Sequence, residues 1–465
     1  MTLSSFEALV SRTFSRLEVP SPPQSLQPPR LDSVSNRDLA AYFANTWNLY
    51  EWLLGAITGE GAFHRNPDPL RNDLIFYLGH TASFYINKMV AAGLLGEGLN
   101  PRLEALFARG VDPESPDQLS RPPWPETEEV WAYRKQVFQT IASLIETSDI
   151  PEPITEEDPW WSLLMGLEHE RIHFETSSVL IRQLDPDMLS RPEGWHYAPL
   201  MGKVQEVEMI WVPPGEAVLG KPREEPIYGW DNEYGQKTVA VPGFEASRNL
   251  VTNAEFLPFI AGGGYNERKY WTEEGWRWKC SVAAGHPRFW VPDGNRFLYR
   301  AIFDILELPP YWPVEVNCFE AQAFCRWLGN GHRLLSEAEF QRIAAPTLER
   351  GEDPAFSNRF NLNMRLGSPS PVGHFPEAES PLGFNDVYGN VWVWLSNDFH
   401  PLPDFETHYL YDDFSTPFFD EDHAMLLGGS WATTGTGASK YYRLWFRRCF
   451  YQHAGFRLAR SPRRD

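Results

Sequence analysis

The stretch Glu168-His169-Glu170-Arg171-Ile172-His173-Phe174-Glu175 constrains this chain more than any other. It lies in a run, residues 158–184, that opens on Asp158-Pro159 and is then interrupted only by Gly166. Aspartate followed by proline reads as a helix start, a side-chain cap and then a proline at the first helical position. The run is therefore expected to be one helix of about seven turns. His169 and His173, four residues apart, share a face with Ser162, Met165, Ser177 and Leu180. Two imidazoles on an otherwise apolar or small-residue face need hydrogen-bond partners or a metal, and two ligands do not complete a metal site.

The candidate third ligand is His80, within Phe76-Tyr-Leu-Gly-His-Thr-Ala-Ser-Phe-Tyr-Ile-Asn-Lys, on a face with Phe76, Tyr77 and Phe84. The residues leave two readings open: a hydrogen-bonded core histidine, or a ligand that joins the pair. Three buried histidines in one core would be costly without a shared purpose. A rival reading is that residues 169–173 match H-E-x-x-H, the zinc-peptidase pattern in which the glutamate is the general base. That pattern is short, and a downstream ligand helix is missing here; His80 upstream fits better than any later histidine.

Four long segments are apolar at helical spacing, near residues 36–58, 72–95, 126–147 and 158–184. Their number and length suggest a four-helix bundle with two long connections, in which metal sites are built from inward side chains on facing helices. Before them, residues 19–30 are proline-rich and read as an extended arm. After Pro199 the texture changes to short apolar runs broken by Gly, Pro and Asn, typical of irregular β or α+β structure. Helical stretches are expected there near 253–261, 319–329 and 336–345. The expected organisation is an arm over 1–35, a helical bundle over 36–190 and a second domain over 206–465, with the fold class α+β.

At 465 residues the chain can bury more than one large core. A formal net charge of −21 makes nucleic acid and anionic membranes poor partners. Four cysteines without a CxxC pair fit reduced thiols better than a disulfide framework. The N-terminus lacks a charged segment followed by an apolar one, and no 18-residue apolar run follows, so a soluble cytoplasmic protein is expected.

The run from Glu168 to Leu184, with Gly79-His-Thr-Ala-Ser-Phe-Tyr-Ile-Asn-Lys upstream, resembles the DinB-like domain of the sulfoxide synthases of thiol-histidine biosynthesis. The second domain resembles the formylglycine-generating-enzyme fold, related to C-type lectins. The motifs that carry this are Tyr228-Gly-Trp-Asp-Asn-Glu-Tyr-Gly, Pro313-Val-Glu-Val-Asn, Arg333-Leu-Leu-Ser-Glu-Ala-Glu-Phe, Gly389-Asn-Val-Trp-Val-Trp, Gly428-Gly-Ser-Trp and Ala454-Gly-Phe-Arg. Formylglycine-generating oxidases need a cysteine pair after the Gly-Gly-Ser motif, and none follows here. The ergothioneine branch reads H-E-Q-Q-H, its second glutamine helping to hold trimethylhistidine, and R-N-W-D before the last G-F-R. This chain has Ile172 at the first place and Arg443-Leu-Trp-Phe-Arg-Arg at the second. It is more similar there to the 5-histidylcysteine sulfoxide synthases of ovothiol biosynthesis, as it is at Tyr409-Leu-Tyr-Asp-Asp-Phe and Phe450-Tyr-Gln-His-Ala-Gly-Phe-Arg.

The resemblance implies His80, His169 and His173 as ligands of a non-haem Fe(II). It implies L-cysteine, L-histidine and O2 as substrates, the cysteine sulfur being joined to C5 of histidine, with trimethylhistidine coupled at C2 as the alternative. It also implies Tyr411 as proton donor, in a loop where Tyr409 is a neighbour. Later N-methylation is expected to fall to a separate methyltransferase. Arg443, Arg447 or Arg448 would hold substrate carboxylates. Glu170 and Glu175, off the histidine face, are expected to be supporting or solvated charges. Trp230, Asp231, Asn232, Trp392 and Trp394 are expected to be structural, and so is His453.

Overall fold

The computed structural model describes residues 24–108, 113, 115–119, 122–203, 207–349 and 351–461. Residues 1–23 of the expected arm, residue 206 and residues 462–465 lie outside the described residues. The chain divides into two compact units, the first running to Trp195 and taking in Pro226–Tyr228 and Ile302–Asp304. The second holds the remainder, and the fold class is α+β, as expected.

In the first unit the four periodic segments form α1 (Asn36–Leu54), α2 (Leu74–Ala91), α4 (Thr127–Thr147) and α5 (Trp161–Ile181). The short α3 (Pro101–Leu106), between α2 and α4, was not expected; Asn100 caps it and Pro101 opens it. Ser35 caps α1 by accepting from the Asp38 amide. The α1 stripe Leu39, Phe43, Trp47, Tyr50 and Leu54 is buried, whereas α2 and α5 are buried on almost every side. Such all-round burial makes these two helices the centre of the bundle. Phe43 stacks on Phe138 of α4 at 5.1 Å and meets Tyr85 of α2 edge-on at 5.9 Å, which locks three helices at one level.

The start of α5 differs from expectation. The helix begins at Trp161, and the Asp158 carboxylate accepts from Thr155 N and Oγ1 instead, closing the preceding turn. The described part of the arm lies against the bundle: Leu26 N donates to Asn45 Oδ1, and Arg171 Nη1 donates to Ser25 Oγ.

The second unit is built from short strands: β1 (Met209–Val212), β2 (Gly215–Leu219), β3 (Lys237–Val241), β4 (Phe244–Ser247), β5 (Trp290–Asp293), β6 (Arg296–Arg300), β7 (Ile305–Glu307), β8 (Arg333–Leu334), β9 (Trp392–Asp398), β10 (His423–Leu427), β11 (Leu444–Arg447), β12 (Ala454–Gly455) and β13 (Leu458–Arg460). They pair as two four-stranded sheets, β1-β4-β13-β8 and β11-β10-β9-β12, with a β2-β3 hairpin and a β5-β6-β7 sheet. Helices α6 (Asn253–Ala261), α8 (Cys318–Leu328) and α9 (Glu337–Ala344) fall close to the three expected stretches, and α7 (Glu273–Ser281) was not expected. The motifs hold this unit together. Arg457 of Gly-Phe-Arg, fully buried, donates to the carbonyls of Ser247, Arg248 and Asn385. Gly389 takes φ +77°, and a Cβ there would lie 2.5 Å from the Asn361 carbonyl oxygen.

Gly166 sets how closely α5 approaches α2, since a Cβ there would lie 2.2 Å from the Tyr85 ring. Alanine is intrinsically the better helix former by about 1 kcal/mol, so any net loss isolates the clash. Gly166→Ala is expected to destabilise the bundle by about 2 kcal/mol, read as a lower denaturant midpoint by circular dichroism. Gly96, whose Cβ would meet nothing within 4 Å, serves as the control.

Candidate metal centre

Helix α2 carries His80 and α5 carries His169 and His173, and the structure brings the three together. The ring centroids are 5.0 Å apart for His80 and His169, 4.8 Å for His80 and His173, and 4.5 Å for His169 and His173. One ring nitrogen from each lies within 4.8 Å of the others. Aromatic rings fix the imidazole planes: Phe84 stacks on His169 at 3.6 Å, and Phe76 stacks on His80 at 4.8 Å. The Tyr77 ring lies 5.9 Å from that of His173.

The second nitrogen of His80 is committed. Its Nδ1–H donates to the Phe107 carbonyl oxygen at 2.6 Å, which leaves Nε2 with its lone pair exposed to the cluster. Gly79 permits this contact, because a Cβ there would lie 2.4 Å from the Phe107 ring. Burial pushes His80 down to about 4, and it holds His169 and His173 well below the ordinary imidazole value, with neighbouring imidazoles adding to the effect. All three are thus neutral at pH 7, the protonation state that ligates metals. His173 Nδ1 is buried without a hydrogen-bonding partner among the described residues, a condition that calls for an explanation. Three neutral, convergent imidazoles with one tautomer fixed from behind fit a divalent transition metal.

The glutamate of H-E-x-x-H is not placed for zinc-peptidase chemistry. Glu170, fully buried, accepts from Arg134 Nη2 at 3.0 Å, Tyr85 Oη at 3.0 Å and Thr81 Oγ1 at 3.2 Å. It is a core ion-pair member, and Glu175 is likewise buried, so neither is a solvated helix charge.

Tyr411 lies in the second unit, half-buried, with its ring 5.2 Å from Phe414 and 6.2 Å from Trp230. Burial, with Asp413 and Asp231 nearby, raises its hydroxyl above the ordinary phenol value, so it keeps its proton. Tyr409, by contrast, is 63% exposed. The arginines expected to hold carboxylates of the substrate already face carboxylates of the protein. Arg443, buried, is paired with Glu337 at 2.8 Å; Arg448 is paired with Asp398; Arg447 lies 3.6 Å from Asp422. His453 Nδ1 lies 3.1 Å from buried Glu315, and Trp394 Nε1 donates to the Val316 carbonyl. Sequence reasoning missed the Phe107 carbonyl and the Phe84 stack. The signal for the first was present: a glycine beside a candidate ligand, in mid-helix.

Residues 198–462 match the model of the sulfatase-modifying factor enzyme 1-like domain, and residues 42–177 that of the DinB superfamily. The chain is similar to a hercynine oxygenase of Mycolicibacterium thermoresistibile, 32% identical over 425 residues that cover 86% of this chain and 90% of the relative. It is also similar to a hercynine oxygenase of Mycolicibacterium smegmatis, 30% identical over 83% of this chain and 90% of the relative. The Ergothioneine biosynthesis protein 1 of Schizosaccharomyces pombe is 25% identical over 84% of this chain and 51% of its own length. These three relatives are named for hercynine and ergothioneine, not for the ovothiol branch that Ile172 and residues 443–448 suggested. Both domain models are matched in order, and the first of these relatives aligns over nine-tenths of its length. The chain is therefore an O2-dependent oxidoreductase that belongs to the hercynine oxygenase family, in which a DinB-superfamily bundle precedes a sulfatase-modifying factor enzyme 1-like domain.

Proposed function

We propose that this enzyme is an iron(II)-dependent sulfoxide synthase that joins a cysteine sulfur to the imidazole ring of a histidine-derived substrate. The observation that carries the reading is the set of three neutral imidazoles, His80, His169 and His173, with no carboxylate among them. The family relationship supports the use of O2. In the overall reaction the thiol S–H and one imidazole C–H are broken and a C–S bond is formed. One oxygen atom of O2 becomes the sulfoxide oxygen and the other leaves as water with the two hydrogens, which accounts for four electrons.

Bound Fe(II) would supply the one-electron and O2 chemistry. The residues of the chain supply the rest. Because the three imidazoles add no negative charge, charge balance favours a substrate that arrives as an anionic thiolate. The Phe107 carbonyl fixes the His80 tautomer, and Phe76 and Phe84 hold two ligand rings in place and exclude water from their faces. Reaction is then a matter of holding sulfur and ring carbon side by side. Tyr411, whose hydroxyl stays protonated, is the proposed proton donor.

Hercynine, the trimethylated histidine, is the favoured ring substrate, with coupling at C2, because the relatives that align over most of their length bear its name. A second reading, L-histidine coupled at C5, is favoured by Ile172. This half-buried aliphatic side chain offers no hydrogen bond where the trimethylhistidine branch has glutamine. L-Cysteine is the proposed thiol donor in both.

Two experiments test these statements. The full chain, loaded anaerobically with Fe(II) and then aerated with cysteine and either hercynine or L-histidine, is expected to give a coupled sulfoxide, identified by its mass. Loss of the imidazole C2 proton signal with hercynine supports the first reading, and loss of the C5 signal with histidine supports the second. Absence of O2 uptake with both would sink the assignment. Separately, Tyr411→Phe is expected to lower C–S product formation by roughly 10²-fold or more, the usual worth of a positioned proton donor, while Tyr409→Phe leaves it unchanged. Product per O2 consumed is the quantity to follow.

A further inference from the structure

Against residues next to the cluster histidines in sequence, α4 sends one guanidinium into the core. Arg134 is fully buried. Its Nη1 donates to the Leu78 carbonyl at 3.2 Å and to Thr81 Oγ1 at 2.8 Å. These two residues flank the Gly79-His80 pair on α2. Its Nη2 donates to Glu170 Oε1 at 3.0 Å, and Glu170 is the residue next to His169 on α5. Thr81 Oγ1 and Tyr85 Oη, both on α2, donate to the same Glu170 carboxylate. From α1, Glu51 lies 3.5 Å from Arg134 Nε, and the Trp47 ring centroid is 4.2 Å from the guanidinium carbon.

We infer that Arg134 and Glu170 form a clasp that sets the spacing and rotation of the two ligand-bearing helices, and that these are positioning residues of the metal centre. The inference rests on the reading of His80, His169 and His173 as metal ligands. Its physical basis is the place of the bonds. Every polar contact of the Arg134 Nη atoms falls within two residues of a histidine of the cluster. One planar group thereby refers both helices to a common plane, and a guanidinium fixes direction as well as distance. A buried ion pair is weak evidence for stability, since well-packed apolar residues often replace one without loss. Its presence here is explained by the geometry it imposes. Glu170 therefore has a function distinct from that of the glutamate in a zinc peptidase: held by Arg134, Thr81 and Tyr85, it aligns the helix that carries two of the proposed ligands.

The test separates alignment from stability by titrating Co(II), a spectroscopic stand-in for Fe(II), into the full-length chain. Affinity, the ligand-field absorption band and the thermal unfolding curve are recorded for each protein. The pair Arg134→Met with Glu170→Leu removes the clasp and leaves Glu51, raised by burial to about 7, on the Trp47 indole N–H; it is expected to unfold cooperatively. It should bind Co(II) roughly 10- to 100-fold more weakly, the usual loss when groups that orient metal ligands are removed, with an altered absorption band. Thr81→Val, nearly isosteric, is expected to weaken binding severalfold without loss of fold, and it decides the matter if the double variant does not fold. Affinity within twofold of wild type in a folded double variant, or in Thr81→Val, overturns the clasp. Co(II) binding that is absent from the wild type, or undiminished in His80→Ala, overturns the metal centre itself and the clasp with it.

Discussion

The proposed metal centre depends on keeping three imidazoles uncharged inside an apolar bundle. His80 stacks on Phe76, His169 stacks on Phe84 and His173 lies beside Tyr77, surroundings in which a protonated ring would lose its hydration. Each imidazole also disfavours protonation of its neighbours, so the cluster resists charge as a group. That constraint reaches well beyond the three residues. It requires helices buried on nearly all sides, as α2 and α5 are, and it requires them to pack closely enough to exclude water. Gly79 and Gly166 meet the second requirement, one by admitting the Phe107 ring and the other by admitting Tyr85. The carbonyl that orients His80 and the ring that lies on Gly79 belong to the same residue, so close packing and tautomer choice are one structural fact.

The segment around the paired histidines shows how a helix distributes tasks at about 100° per residue. His169 and His173 share one face. Glu168, one step back, accepts from Tyr42 Oη at 2.6 Å. Glu170, one step forward, faces α4 and Arg134. Arg171 continues the turn, donating to Thr46 Oγ1 and Asn45 Oδ1 of α1 with its guanidinium carbon 4.1 Å from the Tyr42 ring centroid. Four successive polar residues in a buried helix are costly unless each finds a partner, and three different directions supply them. This explains how the chain tolerates Glu-His-Glu-Arg where a bundle core would ordinarily be aliphatic.

Much of this was legible in the sequence, for reasons that differ by region. The four long helices announce themselves by apolar spacing, and their observed bounds differ from the expected ones by a few residues at most ends. The error at Asp158 is instructive, because an aspartate before proline can cap a turn as well as a helix, and only the tertiary path of residues 155–160 decides between them. The α2 histidine was identifiable because its neighbours are aromatic and because a third buried histidine beside the pair on α5 would be costly without a shared purpose. Of the two readings of Glu170, supporting or solvated, sequence could not choose, because its partner, Arg134, is 36 positions away and nothing local marks that arginine as buried. The same holds for Arg443: a run of arginines near the end of the chain suggests anion binding, yet Glu337 at 2.8 Å already satisfies the first of them.

In the second unit the motifs easiest to recognise do structural work. Arg457 gathers the carbonyls of Ser247, at the end of β4, and of Arg248 and Asn385 in loops, Trp394 donates to Val316, and Glu315 sits between Tyr299 and His453. Short strands with irregular connections cannot satisfy all their carbonyls by pairing, so buried side chains complete the bonding. The loop that carries Tyr411 follows the same logic. Ser415 Oγ donates to Asp231 Oδ1 at 2.5 Å and accepts from Asn232 Nδ2 at 3.1 Å, while Phe414 stacks on Trp230 at 4.0 Å. The Trp-Asp-Asn motif, structural in itself, therefore fixes the loop within a few residues of Tyr411. A side chain on irregular backbone, as the proposed proton donor Tyr411 is, is only as well placed as the contacts that hold its neighbours, and here those contacts are the fold's own signature residues.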